Sequence, residues 1–82
     1  MIERHDIGWA VWHLRKGNRV RRVAWNGKGQ MLGFENSHVT GYNTLAYVYV
    51  ITIDRVRVPW VCSQEDLLAD DWELVEQVIR DD

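Results

Sequence analysis

The sequence has little of what several classes of protein require. Its single cysteine, Cys62, cannot form an internal disulfide and has no second thiol at metal-ligand spacing. The three histidines, His5, His13 and His38, lack the HxxxH and HExxH spacings of zinc sites. We therefore expect a protein that uses no disulfide, no metal ion and no cofactor.

Long apolar runs are also missing. No stretch approaches the ~20 residues that a membrane-spanning helix needs. The charged segment at residues 1–6 does not resemble the apolar part of a signal peptide. We expect a cytoplasmic protein with no membrane partner.

The composition is that of an ordinary folded domain. Hydrophobic residues make up 46% of the 82 residues and charged residues 27%, unlike the composition of disordered chains. A chain of this size buries only about 60% of its unfolded surface and has room for one core. We predict one domain over residues 1–82, ordered over about 6–76, with an acidic tail at 77–82. A sizeable ligand would then lie in a surface groove or between subunits.

Charge is unevenly distributed along the chain. Residues 1–30 carry seven Lys or Arg against two Asp or Glu, whereas residues 61–82 carry one against eight. The two ends can pair within the fold or between subunits, or the basic half can face a phosphate-bearing ligand. Since the isoelectric point is near 5.9, the chain lacks the basic excess typical of proteins that bind nucleic-acid polymers.

The apolar pattern predicts an α+β fold. Asp6 is a predicted N-cap and Gly17 a predicted stop for a helix with apolar residues at i, i+3, i+4 and i+7, namely Ile7, Ala10, Val11 and Leu14. A first hairpin is predicted from strands at 19–24 and 30–35 with a two-residue turn at Asn26-Gly27, and a second from strands at 46–53 and 56–61.

The remaining segments complete this prediction. Pro59 places its strand at a sheet edge, because proline cannot donate to a β-ladder. Ser63 is a predicted N-cap of a short helical turn, and residues 72–75 form either a last strand or a helix. Residues 36–45 are predicted as a loop. The sum is an N-terminal helix packed on a mainly antiparallel sheet of about four to five strands, with a short helical turn before the last strand.

Five tryptophans are the most unusual feature of the sequence. Trp9, Trp12 and Trp72 lie within apolar patterns, which favours packing against the sheet or a second subunit. Trp25 and Trp60 border a turn and a strand break, where a large ring can project into a groove and stack on a base. These two side chains are therefore candidates for ligand binding.

The segment after Trp25 has the composition of an anion site. In Asn26-Gly27-Lys28-Gly29 the glycines let backbone N–H groups approach a phosphate, and Lys28 adds a charge. Arg22, with Arg19 and Arg21, can contact the same phosphate or pair with the acidic C-terminal third. An ordinary hairpin turn beside a packed tryptophan explains the segment as well, and spacing alone slightly favours that reading.

Catalytic groups are harder to find. Ser63 has no histidine near it in sequence and is better explained as a helix cap than as a nucleophile. Asp66, Asp70 and Asp71 lack the ligand spacing of a calcium loop, which indicates caps and solvated charges. The residues therefore predict a binding protein that is not an enzyme.

Two segments carry a family resemblance. Residues 25–29 (W-N-G-K-G) and 59–72 (P-W-x-x-S-Q-x-D-L-L-A-x-D-W) resemble the signature blocks of the second type of Thoeris anti-defence protein, a small phage and bacterial family. Ala10, Gly17 and Arg22 are similar to its pattern too, and the likeness spans residues 7–75. Residues 36–46 and 55–57 depart from it.

The resemblance implies a function and a site. Such proteins bind and sequester, without cleaving, the cyclic ADP-ribose signals of Thoeris immunity and, in some members, cyclic oligonucleotides of CBASS-type immunity. It implies a homotetramer in the host cytoplasm, with pockets across subunit interfaces. Trp25 and Trp60 would wall in the base, Asn26, Gly27 and Lys28 would meet ribose and phosphate, and Ser63 and Asp66 would line or brace the pocket. The alternative is a protein–protein interaction or structural module whose tryptophans anchor an interface.

Overall fold

The computed structural model describes residues 4–25, 29–36 and 45–75. Within these ranges, two helices, one 3-10 turn and five strands follow in the order α1 (Ile7–Arg15), β1 (Val20–Arg22), the 3-10 turn (Val23–Trp25), β2 (Met31–Glu35), β3 (Tyr47–Ile51), β4 (Arg57–Pro59), α2 (Gln64–Leu67) and β5 (Trp72–Leu74). None of the helices in these ranges has the length and apolar character that a bilayer crossing needs.

All five strands form one antiparallel sheet in the order β4-β3-β2-β1-β5. This confirms the predicted α+β class and shows that residues 72–74 form a strand rather than a helix. β4 lies at one edge, as Pro59 predicted, and Pro59 faces Tyr49 of β3. β5 lies at the other edge, where it pairs with β1 through Arg22 and Trp72 among others.

The first helix forms where its pattern predicted it. The carboxylate of Asp6 accepts a hydrogen bond from the Trp9 amide at 3.0 Å, which satisfies one of the free N–H groups of the first turn. Gly17 ends the helix with φ +94° and donates its N–H to the Leu14 carbonyl at 3.0 Å. Ala10 and Leu14 are buried against the sheet, so the helix contributes both side chains to the core.

The predicted first strand, residues 19–24, extends too far at its C-terminal end. β1 ends at Arg22, and Val23–Trp25 form a 3-10 turn where strand was expected. Among the described residues, β1 and β2 share the single pair Val20 and Leu32. Asn26, Gly27 and Lys28 lie outside the described residues, and Gly29 has φ +88°, a conformation that favours glycine.

The second hairpin agrees with its prediction. The Thr52 amide donates to the Val56 carbonyl and the Arg55 amide to the Thr52 carbonyl, both at 2.9 Å, and Arg55 adopts φ +68° within the turn. The predicted loop falls largely on residues 37–44, and the predicted acidic tail on 77–82. Both ranges lie outside the described residues.

The core lies between α1 and the sheet. Its buried side chains are Ala10, Leu14, Val20, Leu32 and Trp72. Trp72 is 2% exposed, which confirms its predicted place in the core, and Trp9 packs at its border. The prediction for Trp12 is not met within this chain, because the side chain is 56% exposed and contacts Lys16 and His13 on its own helix.

Gly33 in the central strand provides a test of the sheet packing. A Cβ atom at this position would lie 2.5 Å from the ring of Tyr49, which is itself 4% exposed. We expect Gly33→Ala to lower the free energy of unfolding by about 1–3 kcal/mol through overpacking, as measured by urea denaturation. In the Tyr49→Ala background the same substitution should cost nothing, and an equal loss in both backgrounds would contradict the packing described.

Candidate functional site

Three tryptophans meet at one end of the sheet. The ring of Trp25 lies 5.6 Å from that of Trp72 at an interplanar angle of 80°, and the ring of Trp60 lies 6.0 Å from Trp72 at 88°. Both contacts are edge-to-face, the geometry that aromatic quadrupoles favour. Trp72 is buried, whereas Trp25 and Trp60 are half-buried. We call these three residues the tryptophan cluster.

The cluster brings together segments that are distant in the sheet. Trp60 follows β4 and still donates its amide to the Val48 carbonyl at 3.0 Å, so it continues the ladder at that edge. Trp72 belongs to β5 at the opposite edge. Their contact shows that the two edges of the sheet converge at this end. Trp25 packs against the ring of Trp72 as well. The predicted pair of tryptophans thus meets through a third.

Arg22 lies beside the cluster and is the one buried charged residue in the described part of the chain, at 9% exposure. Its Nε donates to Asp71 at 2.7 Å and its Nη1 to Asp66 at 2.8 Å. The hydrogen bond to Asp71 and then that to Asp66 raise the pKa of Arg22, so the guanidinium stays charged. Arg22 therefore joins the start of β5 to α2. We call Arg22, Asp66 and Asp71 the arginine network.

Asp71 also holds the turn that carries Trp25. Its carbonyl accepts the Val23 amide and its carboxylate the Ala24 amide, each at 3.0 Å. Partial burial by itself raises the pKa of Asp71, but the hydrogen bonds from Arg22 and Ala24 outweigh it and lower the pKa below its ordinary value. The carboxylate is thus ionised and fixed at the start of the 3-10 turn.

The short helix α2 is fixed by its cap and by the arginine network. The Ser63 hydroxyl accepts the Asp66 amide at 3.1 Å, which confirms the predicted N-cap. Asp66 in turn binds Arg22 through its side chain. Burial, and then the charge of Asp66, raise the pKa of the nearby Cys62 thiol, which disfavours the reactive thiolate.

The predicted site residues are placed as follows. Trp25 and Trp60 lie in the tryptophan cluster, and Arg22, Asp66 and Ser63 lie in the bonded group beside it. Asn26, Gly27 and Lys28 lie outside the described residues, although they follow directly on Trp25. The structure thus brings the described candidates to one end of the sheet, and their contact with a ligand stays a prediction.

Pairing of the basic half with the acidic C-terminal third is observed for two of the three arginines. Arg22 binds Asp66 and Asp71, and Arg21 binds Glu73 at 2.8 Å. The prediction that Asp66 and Asp71 are merely caps and solvated charges is therefore wrong, because both are partly buried partners of Arg22. Asp70 forms an exposed ion pair with Arg4.

Charge balance at the site has a consequence for anion binding. Arg22 carries one positive charge against the carboxylates of Asp66 and Asp71, with Glu65 a further 3.8 Å contact. The described residues of the arginine network therefore have a net negative charge. A bound phosphate needs another cation or backbone N–H groups to hold it.

Asp71 and Trp72 organise the site, yet sequence reasoning did not single them out for it. A signal was present, since a buried arginine at a strand end requires a carboxylate and the acidic third of the chain supplies several. What the sequence could not show is which carboxylate reaches Arg22. Within the described ranges, no three His, Cys, Asp or Glu side chains are grouped as a metal ion would need.

The network predicts how stability depends on pH. Asp71→Asn should lower the free energy of unfolding at neutral pH by about 1–3 kcal/mol, because it removes charge-assisted hydrogen bonds. Since folding lowers the pKa of Asp71 from its ordinary 3.8, that advantage is present above the ordinary value and is lost as the pH falls through the folded-state pKa. The unfolding curves of the two proteins should therefore converge in acid.

A matched control for this experiment is Glu73→Gln. It removes the other ion pair between β1 and β5, whose side chains are 33% and 39% exposed, and should cost less than about 1 kcal/mol. A difference between wild type and Asp71→Asn that stays constant from neutral pH into strong acid would contradict the assigned role of the carboxylate.

Comparison with known proteins agrees with this architecture. The family model for the Thoeris anti-defense 2-like domain matches residues 5–75, which include α1, the whole sheet, the tryptophan cluster and the arginine network. The protein named Thoeris anti-defense 2 from Bacillus phage SP01 is 31% identical over 88 positions, covering 92% of this chain and 99% of the relative. The chain therefore belongs to the Thoeris anti-defense 2-like family.

Proposed function

We propose that this protein acts in phage anti-defence by binding and sequestering cyclic ADP-ribose-type signals, without cleaving them, in the cytoplasm of the host cell. The observation that carries the proposal is the tryptophan cluster, in which the half-buried Trp25 and Trp60 pack edge-to-face on a buried third ring. Family membership supports the anti-defence role. Cyclic oligonucleotides of CBASS-type immunity are a second ligand class for the same chemistry.

The tryptophan cluster suits a purine-containing ligand. Half-buried indoles that are fixed against Trp72 lose little freedom when a base stacks on them, so more of the stacking energy contributes to affinity. The ring of Trp72 has its Nε1 buried without a hydrogen-bond acceptor in the described part of the chain, so its contribution comes from packing. Trp25 and Trp60 are thus the surfaces that a base would contact.

The phosphates must be held from elsewhere, because Arg22 is already neutralised by Asp66 and Asp71. We assign this contact to Lys28 and to the backbone N–H groups of Asn26-Gly27, which follow Trp25 in sequence. A second subunit is a further source of positive charge. The proposed assembly is a homotetramer with pockets shared between chains.

The chemistry of the described side chains supports retention of the ligand rather than turnover. The lowered pKa of Asp71 makes its carboxylate a weak general base. The Ser63 hydroxyl is engaged as a helix cap, and Asp66 is held by Arg22. A protein that only binds must exceed the signal in concentration, and must bind it tightly enough to lower free signal below the effector's threshold.

The tryptophan pair is tested by alanine substitution. Trp25→Ala and Trp60→Ala should each weaken binding of a cyclic ADP-ribose isomer by about 5- to 150-fold, the equivalent of 1–3 kcal/mol of stacking. Trp12→Ala is the matched control, because this exposed indole lies on α1 and should leave the affinity unchanged. Isothermal titration calorimetry gives the affinities, and mass spectrometry after heat release shows whether the ligand is intact.

The phosphate contact is tested by removing one charge. Lys28→Gln should lower the affinity and also flatten its dependence on salt, because screening acts on the lost charge. Arg55→Gln removes the same charge from the exposed turn between β3 and β4 and should change neither quantity. Equal effects of the two substitutions would show that Lys28 acts only through overall charge.

A protein–protein interaction module is the second candidate. Exposed apolar side chains support it, among them Val61 at 86% and Leu68 at 79%, on either side of α2. In that case Trp25→Ala should dissociate the assembly in native mass spectrometry and no nucleotide should bind. Loss of nucleotide binding with the assembly intact favours the sponge, whereas cleaved ligand would show that the protein is an enzyme.

A further inference from the structure

We propose that Asp71 is a positioning residue for the ligand site, because it holds the turn that carries Trp25 in its binding conformation before a ligand arrives. The inference rests on the proposed function, since the site concerned is that of Trp25 and Trp60. Asp71 itself is not proposed to touch the ligand. Its effect passes through the Ala24 amide and through Arg22.

The turn that carries Trp25 is bonded to Asp71 at its start. A 3-10 turn begins with N–H groups that have no partner inside it. Here the Val23 amide donates to the Asp71 carbonyl and the Ala24 amide to the Asp71 carboxylate, each at 3.0 Å. Asp71 therefore caps the start of the turn, at the amides one and two residues before Trp25.

Asp71 is itself held in place by contacts on two sides. Asp71 forms a parallel bridge with His5, the His5 amide donates to the Asp70 carbonyl at 3.1 Å, and the Trp72 amide donates to the His5 carbonyl at 3.2 Å. Arg22 binds the carboxylate from the β1 side at 2.7 Å. With backbone contacts on one side and Arg22 on the other, the carboxylate has a fixed position from which to hold the turn.

Without its bonds to Asp71, the turn would have little support. Among the described residues, β1 and β2 share only the pair Val20 and Leu32, so the ladder between them gives the Val23–Trp25 turn little support. Ordering one residue costs about 1–2 kcal/mol of backbone entropy. A turn that is already ordered does not subtract this cost from the binding free energy. Asp71 thus contributes to affinity without contacting the ligand, because the turn is already ordered.

Arg22 connects the two halves of the site. Arg22 binds Asp71 and also Asp66, whose helix α2 begins four residues after Trp60. The same network therefore sets the start of the Trp25 turn and the segment that follows Trp60. Positioning by Asp71 should then act on how both indoles present their exposed surfaces.

The experiment compares Asp71→Asn with Glu73→Gln. Each substitution removes a carboxylate that pairs with an arginine of β1. Glu73 pairs with Arg21 and Asp71 pairs with Arg22, but only Asp71 also contacts the turn. The 2.7 Å bond from Arg22 Nε and the 3.0 Å bond from the Ala24 amide reach different oxygens of Asp71, and an asparagine, with a single oxygen, cannot accept both. Two quantities are measured at a temperature where all proteins are folded. They are hydrogen exchange at the Ala24 amide without ligand, and the affinity for a cyclic ADP-ribose isomer.

The expected result is a split between the two variants. Asp71→Asn should speed exchange at Ala24 by about tenfold or more and weaken binding by a similar factor, the equivalent of ordering one residue or more. Glu73→Gln should leave both quantities within about twofold of wild type. If Asp71→Asn does not fold, Asp71→Glu keeps the charge near Arg22 but displaces the carboxylate from the Ala24 amide, and the same losses are expected.

Two outcomes would overturn the inference, and they differ from failure of the proposed function. Unchanged exchange at Ala24 in Asp71→Asn would show that the carboxylate does not hold the turn. An affinity that Asp71→Asn leaves unchanged, or that Glu73→Gln lowers equally, would show that holding the turn does not matter for binding. A wild-type protein that binds none of the nucleotides contradicts the proposed function, and the ligand role of Asp71 with it.

Discussion

A buried arginine between two carboxylates is the constraint on which the rest of this structure depends. Arg22 is 9% exposed, and a charge so placed is tolerated only where it is paired and hydrogen-bonded. Its partners, Asp66 and Asp71, come from the last third of the chain. The pairing therefore forces α2 and the start of β5 to lie against β1, which closes the end of the sheet where Trp25, Trp60 and Trp72 meet.

The arginine network and the tryptophan cluster have different roles in the proposed site. Arg22 is surrounded by negative charge and serves the architecture. In the function we propose, recognition of a ligand is therefore assigned to the half-buried indoles and to the segment after Trp25. The proposed site relies on stacking and retention, which is the basis for proposing a sequestering role.

Local patterns in the sequence were sufficient for the elements but not for the way they meet. The helix from Ile7 to Arg15, the cap at Ser63 and the edge position of Pro59 follow from apolar spacing, capping chemistry and the missing proline N–H. The first strand was predicted too long, because Asp71 caps a 3-10 turn at Val23–Trp25 that no local signal reveals. Candidate site residues were found from their chemistry, whereas their organiser Trp72 was assigned only to the core.

The most direct test of the central claim is a crystal structure of the protein with a cyclic ADP-ribose isomer. The account predicts an uncleaved ligand whose base contacts the exposed ring surface of Trp25 or Trp60, with Trp72 unmoved beneath them and Arg22 still bound to Asp66 and Asp71. Ligand density elsewhere on the protein, a cleaved product, or indoles covered entirely by another protein chain would contradict it.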